Sequence, residues 1–151
     1  MRVARAGPAH DLGDGIEYRS TWERNIARYL RYMGIEAKYE PKRFYFPGKA
    51  WSESYLPDWR LMIEPPPGFS EVYIELKGWL DKKSVRRLRN MRAHYGKRGI
   101  LCILIDEDSY ARIENDYAGR IKCWERSSIR RQRTSVEQLG EGPVSSEGEA
   151  Q

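Results

Sequence analysis

The stretch YLPDWRLMIEPPPGFSEVYIELKGW, residues 55–79, constrains the fold of this chain more than any other. Residues 58–63 and 72–77 place apolar side chains at every second position, which is typical of β-strands. The Pro- and Gly-rich segment between them predicts a turn. In the second run the polar face carries Glu75 and Lys77. The stretch therefore predicts a β-hairpin with charged groups on one face.

The pairing of this hairpin brings a further acid into the same place. With the turn centred near Pro67, Asp58 falls opposite residues 75–77. Glu75 and Lys77 lie ~7 Å apart along the strand, because every second residue points to the same face. The sequence thus predicts two carboxylates and one ammonium group within reach of each other.

Two carboxylates at this separation repel each other unless a cation lies between them. A ligand set made of oxygen atoms favours Mg²⁺ or Mn²⁺ over zinc. A lysine beside such a metal can hold or deprotonate a water molecule, or stabilise charge on a reacting phosphate. The alternative is a solvated strand face, with Asp58 as an ordinary turn residue after Pro57.

The rest of the chain predicts helices on either side of these strands. Ser20 and Glu23 form a capping-box signature before a helical apolar pattern that ends at Gly34. Further along the chain, the pattern predicts short strands at 37–39 and 44–46, a buried strand at 99–106 and a helical segment at 109–121. It also predicts a helix at 81–95, whose apolar face consists of Val85, Leu88, Met91 and Tyr95. This order predicts one α/β domain with a mixed sheet flanked by helices.

Charge is concentrated in one part of the chain. The 151 residues carry a net charge of +5, and residues 77–98 contain nine Lys or Arg against one Asp. Such a patch is typical of a protein that binds a polyanion, usually nucleic acid, and its alternative is a solvated helix face. No apolar run predicts a membrane span or a signal peptide, and Cys102 and Cys123 suit a reducing cytoplasm.

Composition also predicts the ends of the domain. Residues 1–17 contain scattered Gly and Pro without periodicity, which indicates a flexible N-terminal arm. Residues 126–151 begin with a basic run and continue with Gly, Ser and Glu, which indicates a disordered tail. The folded domain is therefore expected to span residues 18–125.

Together these motifs resemble the PD-(D/E)XK nuclease superfamily. "PD" at 57–58 precedes "ELK" at 75–77 and Gly78, and the first helix contains "S-x-W-E-R-N". The pattern covers residues 18–106 and is similar to phage endonuclease I-type proteins and archaeal-type Holliday junction resolvases. The resemblance implies a restriction-endonuclease-like fold, with a mixed central sheet flanked by helices.

The resemblance also implies roles for particular residues. Asp58 and Glu75 would bind Mg²⁺, or Mn²⁺ in its place, with the backbone carbonyl of Leu76 as a further ligand. Lys77 would act on the attacking water. Glu23 would be the additional acid that such nucleases bring from their first helix, either as a catalytic metal ligand or through water, although its position also fits the capping box.

The resemblance implies a metal-dependent endodeoxyribonuclease that cuts branched DNA, with a Holliday junction resolvase as the first expectation. Such an enzyme would act as a homodimer. It would be located in the cytoplasm, or in the host cytoplasm if it is phage-encoded. A nuclease of restriction, nicking or transposition-associated specificity, and a non-catalytic DNA-binding protein, are the alternatives. Seven residues are expected to contact DNA phosphates: Arg19, Arg24, Lys82, Lys83, Arg86, Arg87 and Arg89.

Overall fold

The computed structural model describes residues 5–126 and has a mixed α/β architecture. Its α-helices are α1 (Thr21–Tyr32), α2 (Lys82–Tyr95) and α3 (Glu107–Tyr117). Its strands are β1 (Gly7–Pro8), β2 (Glu17–Tyr18), β3 (Ala37–Tyr39), β4 (Trp59–Leu61), β5 (Glu71–Leu76) and β6 (Ile100–Ile105). Short 3₁₀ turns lie at Trp51–Glu53 and Gly96–Arg98. The coarse fold class predicted from the sequence is confirmed.

The central sheet has the strand order β3-β4-β5-β6. The pairs β3–β4 and β4–β5 are antiparallel, whereas β5–β6 is parallel and is connected through α2. Trp59 pairs with Ile74, so the same register carried one step further sets Asp58 level with Glu75. The predicted hairpin is confirmed, and its register places both acids on the same face of the sheet.

Helix α1 forms where its capping signal predicts it. The Ser20 hydroxyl accepts a hydrogen bond from the Glu23 backbone N–H at 3.1 Å, and Gly34 follows the helix with φ of 70°. The Glu23 carboxylate accepts from the backbone N–H of Arg19, one residue before the position that a capping box uses. The helix turns Ile26 and Leu30 towards the sheet, which fixes α1 beside the hairpin.

Both faces of the sheet are covered by helices. One core contains buried residues of α1, α3 and the sheet: Ile26, Ala27, Leu30, Trp59, Ile74 and Tyr110, together with Ala9 and Tyr18. The other contains buried residues of α2 and the opposite sheet face: Phe44, Phe46, Tyr55, Tyr73, Leu88, Met91 and Cys102. Tyr73 is 0% exposed and shares its strand face with Glu75. This face of β5 is therefore not the solvated face of a half-buried strand.

Three details of the sequence prediction are wrong. Strand β6 lies at the edge of the sheet and Ile103 is 41% exposed, because an uninterrupted apolar run does not distinguish a central strand from an edge strand. Val85 is also exposed, whereas Leu88 and Met91 of α2 are buried in the core and Tyr95 packs against it. The predicted strand at 44–46 is reduced to one bridge between Phe44 and Tyr55.

The N-terminal segment was expected to be a flexible arm, but its described part packs on the domain. Strand β1 pairs with β2, and Ala9 is 2% exposed within the α1 core. The Asp11 carboxylate forms an ion pair with Arg28 at 2.8 Å. The arrangement depends on partners distant in the chain, which composition does not reveal. The predicted disordered tail lies outside the described residues, except for Arg126.

None of the helices within residues 5–126 combines the length and the apolar character that a membrane span requires.

Candidate active site

The four residues predicted to be catalytic line one cavity of about 240 Å³: Glu23, Asp58, Glu75 and Lys77. Helix α1 supplies the first, the residue before β4 supplies the second, and the end of β5 supplies the last two. The cavity lies on the α2 side of the sheet, where Leu88 and Leu104 form part of its wall. The tertiary structure thus joins segments that are more than fifty residues apart in the chain.

Asp58 is fixed to the end of the neighbouring strand. Its side chain is buried, with 5% of the residue exposed, and its Oδ2 accepts a hydrogen bond from the Leu76 backbone N–H at 2.7 Å. Leu76 lies between Glu75 and Lys77 in the chain, so this bond holds Asp58 beside both side chains. A bond from a buried backbone N–H to a carboxylate is among the stronger hydrogen bonds in proteins.

The Glu75 carboxylate is only partly satisfied. Its Oε2 is buried and has no hydrogen-bond partner among the described residues. Burial, followed by the charge of Asp58, raises the pKa of Glu75 well above its usual range, and Lys77 and Tyr55 offset part of this rise. Buried acceptors normally have partners, so this carboxylate oxygen offers the cavity an acceptor for a cation or for a hydrogen-bond donor.

The pKa of Asp58 is raised in the same way. Burial is the main cause, the hydrogen bond from Leu76 opposes it, and the charge of Glu23 adds to it. The two carboxylates therefore form a coupled pair whose joint ionisation is unfavourable in the metal-free protein. Strongly perturbed acids in a cleft are candidates for a functional site.

The donor set fits a hard divalent cation with few protein ligands. Across residues 5–126, no three Asp, Glu, His or Cys side chains are grouped so that they could hold a metal ion. What remains is the Asp58–Glu75 pair, the Leu76 backbone carbonyl and water. Mg²⁺ is commonly bound by one or two carboxylates, water and substrate phosphates, so the site suits Mg²⁺ and not a closed structural metal site.

We expect Glu75→Gln to stabilise the metal-free protein at pH 8 by about 1–3 kcal/mol, because it removes one of two buried like charges. Thermal unfolding in EDTA should show a melting temperature raised by several degrees. Glu36→Gln, at an exposed carboxylate, is the matched control and should change little. Added Mg²⁺ should stabilise the natural sequence more than the variant. A variant that is less stable in EDTA would contradict the repulsion between the carboxylates.

Glu23 lines the cavity but its carboxylate also has a structural role. Its Oε2 accepts from the Arg19 backbone N–H at 2.9 Å and from the Tyr39 hydroxyl at 2.5 Å. These bonds hold the chain that enters α1 against β3. Glu23 acts on Asp58 through its charge, and its part in metal binding stays a prediction.

Arg19 and Lys77 bring positive charge to the two acids. The Arg19 guanidinium is 3.8 Å from Asp58 Oδ1, pairs with Glu40 and is 60% exposed. Lys77 is half-buried, and its backbone N–H donates to the Ile105 carbonyl at 3.0 Å, where β5 and β6 end together. Both side chains line the cavity and bring positive charge to it.

Arg24 does not line the cavity, and its phosphate contact stays a prediction. Its guanidinium is 6% exposed and donates to both carboxylate oxygens of Glu125, at 2.7 and 2.8 Å. It also donates to the Arg5 carbonyl at 2.6 Å. These contacts join α1 to both ends of the described chain. No sequence signal indicates them, because Glu125 lies about one hundred residues further along.

We expect Glu125→Gln to lower the free energy of unfolding at pH 7 by about 1–2 kcal/mol. The loss is limited because Glu125 keeps 37% of its side chain exposed and solvent screens it. Hydrogen bonds from Arg24 and then Arg28, opposed by burial, lower the pKa of Glu125 to about 2.

Since the folded-state pKa is the lower one, this stabilisation is complete above the ordinary glutamate pKa and disappears as the pH falls towards 2. Urea unfolding at pH 7 and at pH 2–4 measures the difference. If the natural protein and Glu125→Gln still differed by the same free energy of unfolding at pH 2, the ionised Glu125 carboxylate would not be the source of the stabilisation.

The five residues of α2 that were predicted to contact DNA divide into two groups. Three have exposed side chains: Lys82, Lys83 and Arg89. Arg86 instead pairs with Glu53 at 2.9 Å, and Arg87 donates to the Ser52 carbonyl. These two arginines hold the Trp51–Glu53 turn against α2. Arg87 also lines the cavity, and its Nε is buried with no hydrogen-bond partner among the described residues.

The sequence did not single out three residues that the structure adds to the cavity wall: Arg43, Ser54 and Tyr55. Arg43 donates to the Ser54 hydroxyl at 3.0 Å. The Tyr55 hydroxyl lies 3.5 Å from the Cys102 sulfur, beneath Glu75 in the second core. Tyr55 lies two residues before the "PD" motif at 57–58, which was a signal for it, whereas nothing near Arg43 indicated its place.

The chain matches no protein-family model, and no curated protein or solved structure is significantly similar to it. Its function must therefore be argued from the chemistry of the cavity and from the surface around it.

Proposed function

We propose that the protein is a metal-dependent, structure-selective endodeoxyribonuclease with the PD-(D/E)XK site and a restriction-endonuclease-like fold. The observation that carries the proposal is the hydrogen bond from Leu76 N–H to Asp58, which holds this acid beside the unsatisfied Glu75 carboxylate and Lys77. Its substrate is branched DNA, with four-way junctions as the preferred form, so the activity is that of a Holliday junction resolvase.

In this proposal Asp58 and Glu75, with the Leu76 carbonyl, hold Mg²⁺, and Mn²⁺ can replace it. The bound cation supplies a water of lowered pKa and neutralises charge on the phosphate. Lys77 orients the attacking water from the cavity wall and contributes positive charge near the reacting oxygens. The attacking water would release one proton to solvent and bond through its oxygen to phosphorus, the bond from phosphorus to the 3′ oxygen would break, and that oxygen would take up a proton from solvent.

DNA binding in this proposal depends on charge and shape. Lys82, Lys83 and Arg89 display free positive charge along α2, and Arg19 lies at the cavity rim. Contacts to phosphates fix the position of a duplex without reading its sequence. Symmetric cutting of two strands needs two sites, so the proposed active form is a two-fold homodimer.

The deciding experiment compares a labelled four-way junction with a linear duplex of matching sequence, each with Mg²⁺, with EDTA and with Glu75→Ala protein. Cleavage of the junction that needs both metal and Glu75, with the duplex spared, would support a resolvase. Equal cleavage of both would replace it by a PD-(D/E)XK endonuclease of other specificity. Binding without cleavage in Mg²⁺ or Mn²⁺ would leave a non-catalytic DNA-binding protein.

A further inference from the structure

Two tryptophan side chains are exposed next to the cavity. Trp79 is 81% exposed and Trp51 is 67% exposed. Trp79 lies in the chain between Lys77 and Leu80, and Lys77 and Leu80 both line the cavity. The guanidinium of Arg43, another lining residue, lies 5.0 Å from the centre of the Trp51 ring. Large aromatic groups are normally buried, so two at one rim indicate a binding surface.

The backbone that carries Trp51 is held in place. The turn Trp51–Glu53 is tied to α2 by the Arg86–Glu53 ion pair and by the bond from Arg87 to the Ser52 carbonyl. Arg43 additionally packs on the ring by a cation–π contact. The indole is thus presented on an anchored turn, and two basic residues of α2 are used to anchor it.

The backbone before Trp79 is also fixed. A Cβ atom at Gly78 would lie 3.0 Å from the Trp22 ring, so only glycine fits there without a shift of that ring. The Trp22 ring in turn stacks on Tyr110, with 4.1 Å between ring centres. This packing directs the chain away from the core immediately after Lys77 and leaves Trp79 in solvent.

The charge around these rings identifies the partner. Arg19, Arg43, Lys77 and Arg87 line the cavity, and the exposed Lys82 and Lys83 follow Trp79 by three and four residues, so the surroundings of the rings carry positive charge that suits a polyanion. Exposed aromatic rings in a basic groove bind single-stranded nucleic acid, because each unpaired base offers a face for stacking. In an intact duplex these faces are already stacked on their neighbours.

We propose that Trp79 and Trp51 stack on unpaired bases of branched DNA beside the phosphate to be cut. The preferred substrate is then a branch with unpaired nucleotides at its centre, such as a splayed fork or an open junction. The statement that this phosphate is cut rests on the proposed nuclease function. The stacking itself is a binding property and does not depend on cleavage.

The test measures DNA affinity by fluorescence anisotropy in EDTA, with the full chain. The probes are a splayed fork, with 2-aminopurine at its first unpaired position, and a fully paired duplex of equal length. Trp79→Ala should weaken fork binding about five- to one-hundred-fold, the range expected for loss of one base–aromatic stack. Duplex binding should change less than two-fold, and Trp51→Ala should give a similar selective loss.

Two control variants separate stacking from other effects. Trp79→Phe keeps a ring and should retain most of the fork affinity and the change in 2-aminopurine fluorescence. Tyr32→Ala removes a half-exposed aromatic ring from α1 that does not line the cavity, and it should change neither probe. Equal losses on fork and duplex, or no loss with Trp79→Ala, would overturn the proposal.

Failure of this inference differs from failure of the nuclease function. If the natural protein cuts junctions in Mg²⁺ while Trp79→Ala binds forks normally, the stacking proposal is wrong and the nuclease stands. If Trp79→Ala loses fork binding selectively but no metal supports cleavage, the stacking proposal stands for a DNA-binding protein.

Discussion

Asp58→Asn protein is expected to lose Mg²⁺-dependent cleavage of a four-way junction by a factor on the order of a thousand or more. The substituted amide can still accept the hydrogen bond from the Leu76 N–H through its oxygen, so the hairpin end should keep its geometry. It cannot supply negative charge to a cation. DNA affinity should be retained or increase, because a buried negative charge near the phosphate is removed.

Single-turnover cleavage and anisotropy binding measure these two effects separately. Asp116→Asn is the matched control, because Asp116 is exposed on α3 and does not line the cavity. Normal cleavage by Asp58→Asn protein would move the active site elsewhere. A parallel loss of DNA binding and thermal stability would assign Asp58 a structural role.

Lys77→Ala is expected to lower the maximal cleavage rate about 10²- to 10⁴-fold, which is the usual range for removal of a group that assists proton transfer or holds a water molecule. Metal affinity should hardly change, since the carboxylates and the Leu76 carbonyl remain. Lys77→Arg keeps the charge with different geometry, so it should recover only part of the rate.

Lys83→Ala is the control for a loss of charge outside the cavity. Lys83 is exposed on α2, so its removal should weaken DNA binding and reduce the salt dependence while leaving the rate at saturation unchanged. Rates at saturating DNA distinguish the two lysines. A Lys77→Ala protein that is slow only at low DNA concentration would make Lys77 a phosphate contact and not part of the chemistry.

A bound cation would explain why the carboxylates of Asp58 and Glu75 can lie together in the cavity despite their mutual repulsion. Burial raises the pKa of both Asp58 and Glu75, and one oxygen of Glu75 lacks a partner in the described structure. An arrangement that costs stability in the metal-free protein is expected where a site is shaped for a ligand. The stabilisation predicted for Glu75→Gln and the cleavage loss predicted for Asp58→Asn are two consequences of the same charge pair.

Several elements were predictable because their signals are local. The Ser20 cap, the helical spacing behind it and Gly34 determine α1. Alternating side chains and the proline-rich turn determine the β4–β5 hairpin, whose register then follows within one residue. Asp81 begins α2 as its cap, with its carboxylate accepting from the Ser84 N–H at 2.7 Å. Such signals depend on neighbouring residues alone.

Other features depend on which distant segments meet. Arg24 was expected to contact DNA, but Glu125 binds it. Arg86 and Arg87 were expected to contact phosphates as well, and both contact the Trp51–Glu53 turn. Composition shows how many charges a segment carries but not which of them find a partner across the fold. The N-terminal segment was expected to be flexible for the same reason, because its composition does not show that its described part packs on distant residues of the domain.

The sequence by itself determined the identity and the order of the candidate catalytic groups: an acid before one strand, and an acid and a lysine at the end of its neighbour. Only the tertiary structure decided that the two acids are shielded from solvent beside a half-buried lysine. Helix α2 crosses from β5 to β6 and covers the face of the sheet that carries Asp58 and Glu75. That cover shields the two carboxylates from solvent, and in such surroundings burial and their mutual repulsion raise the pKa of both.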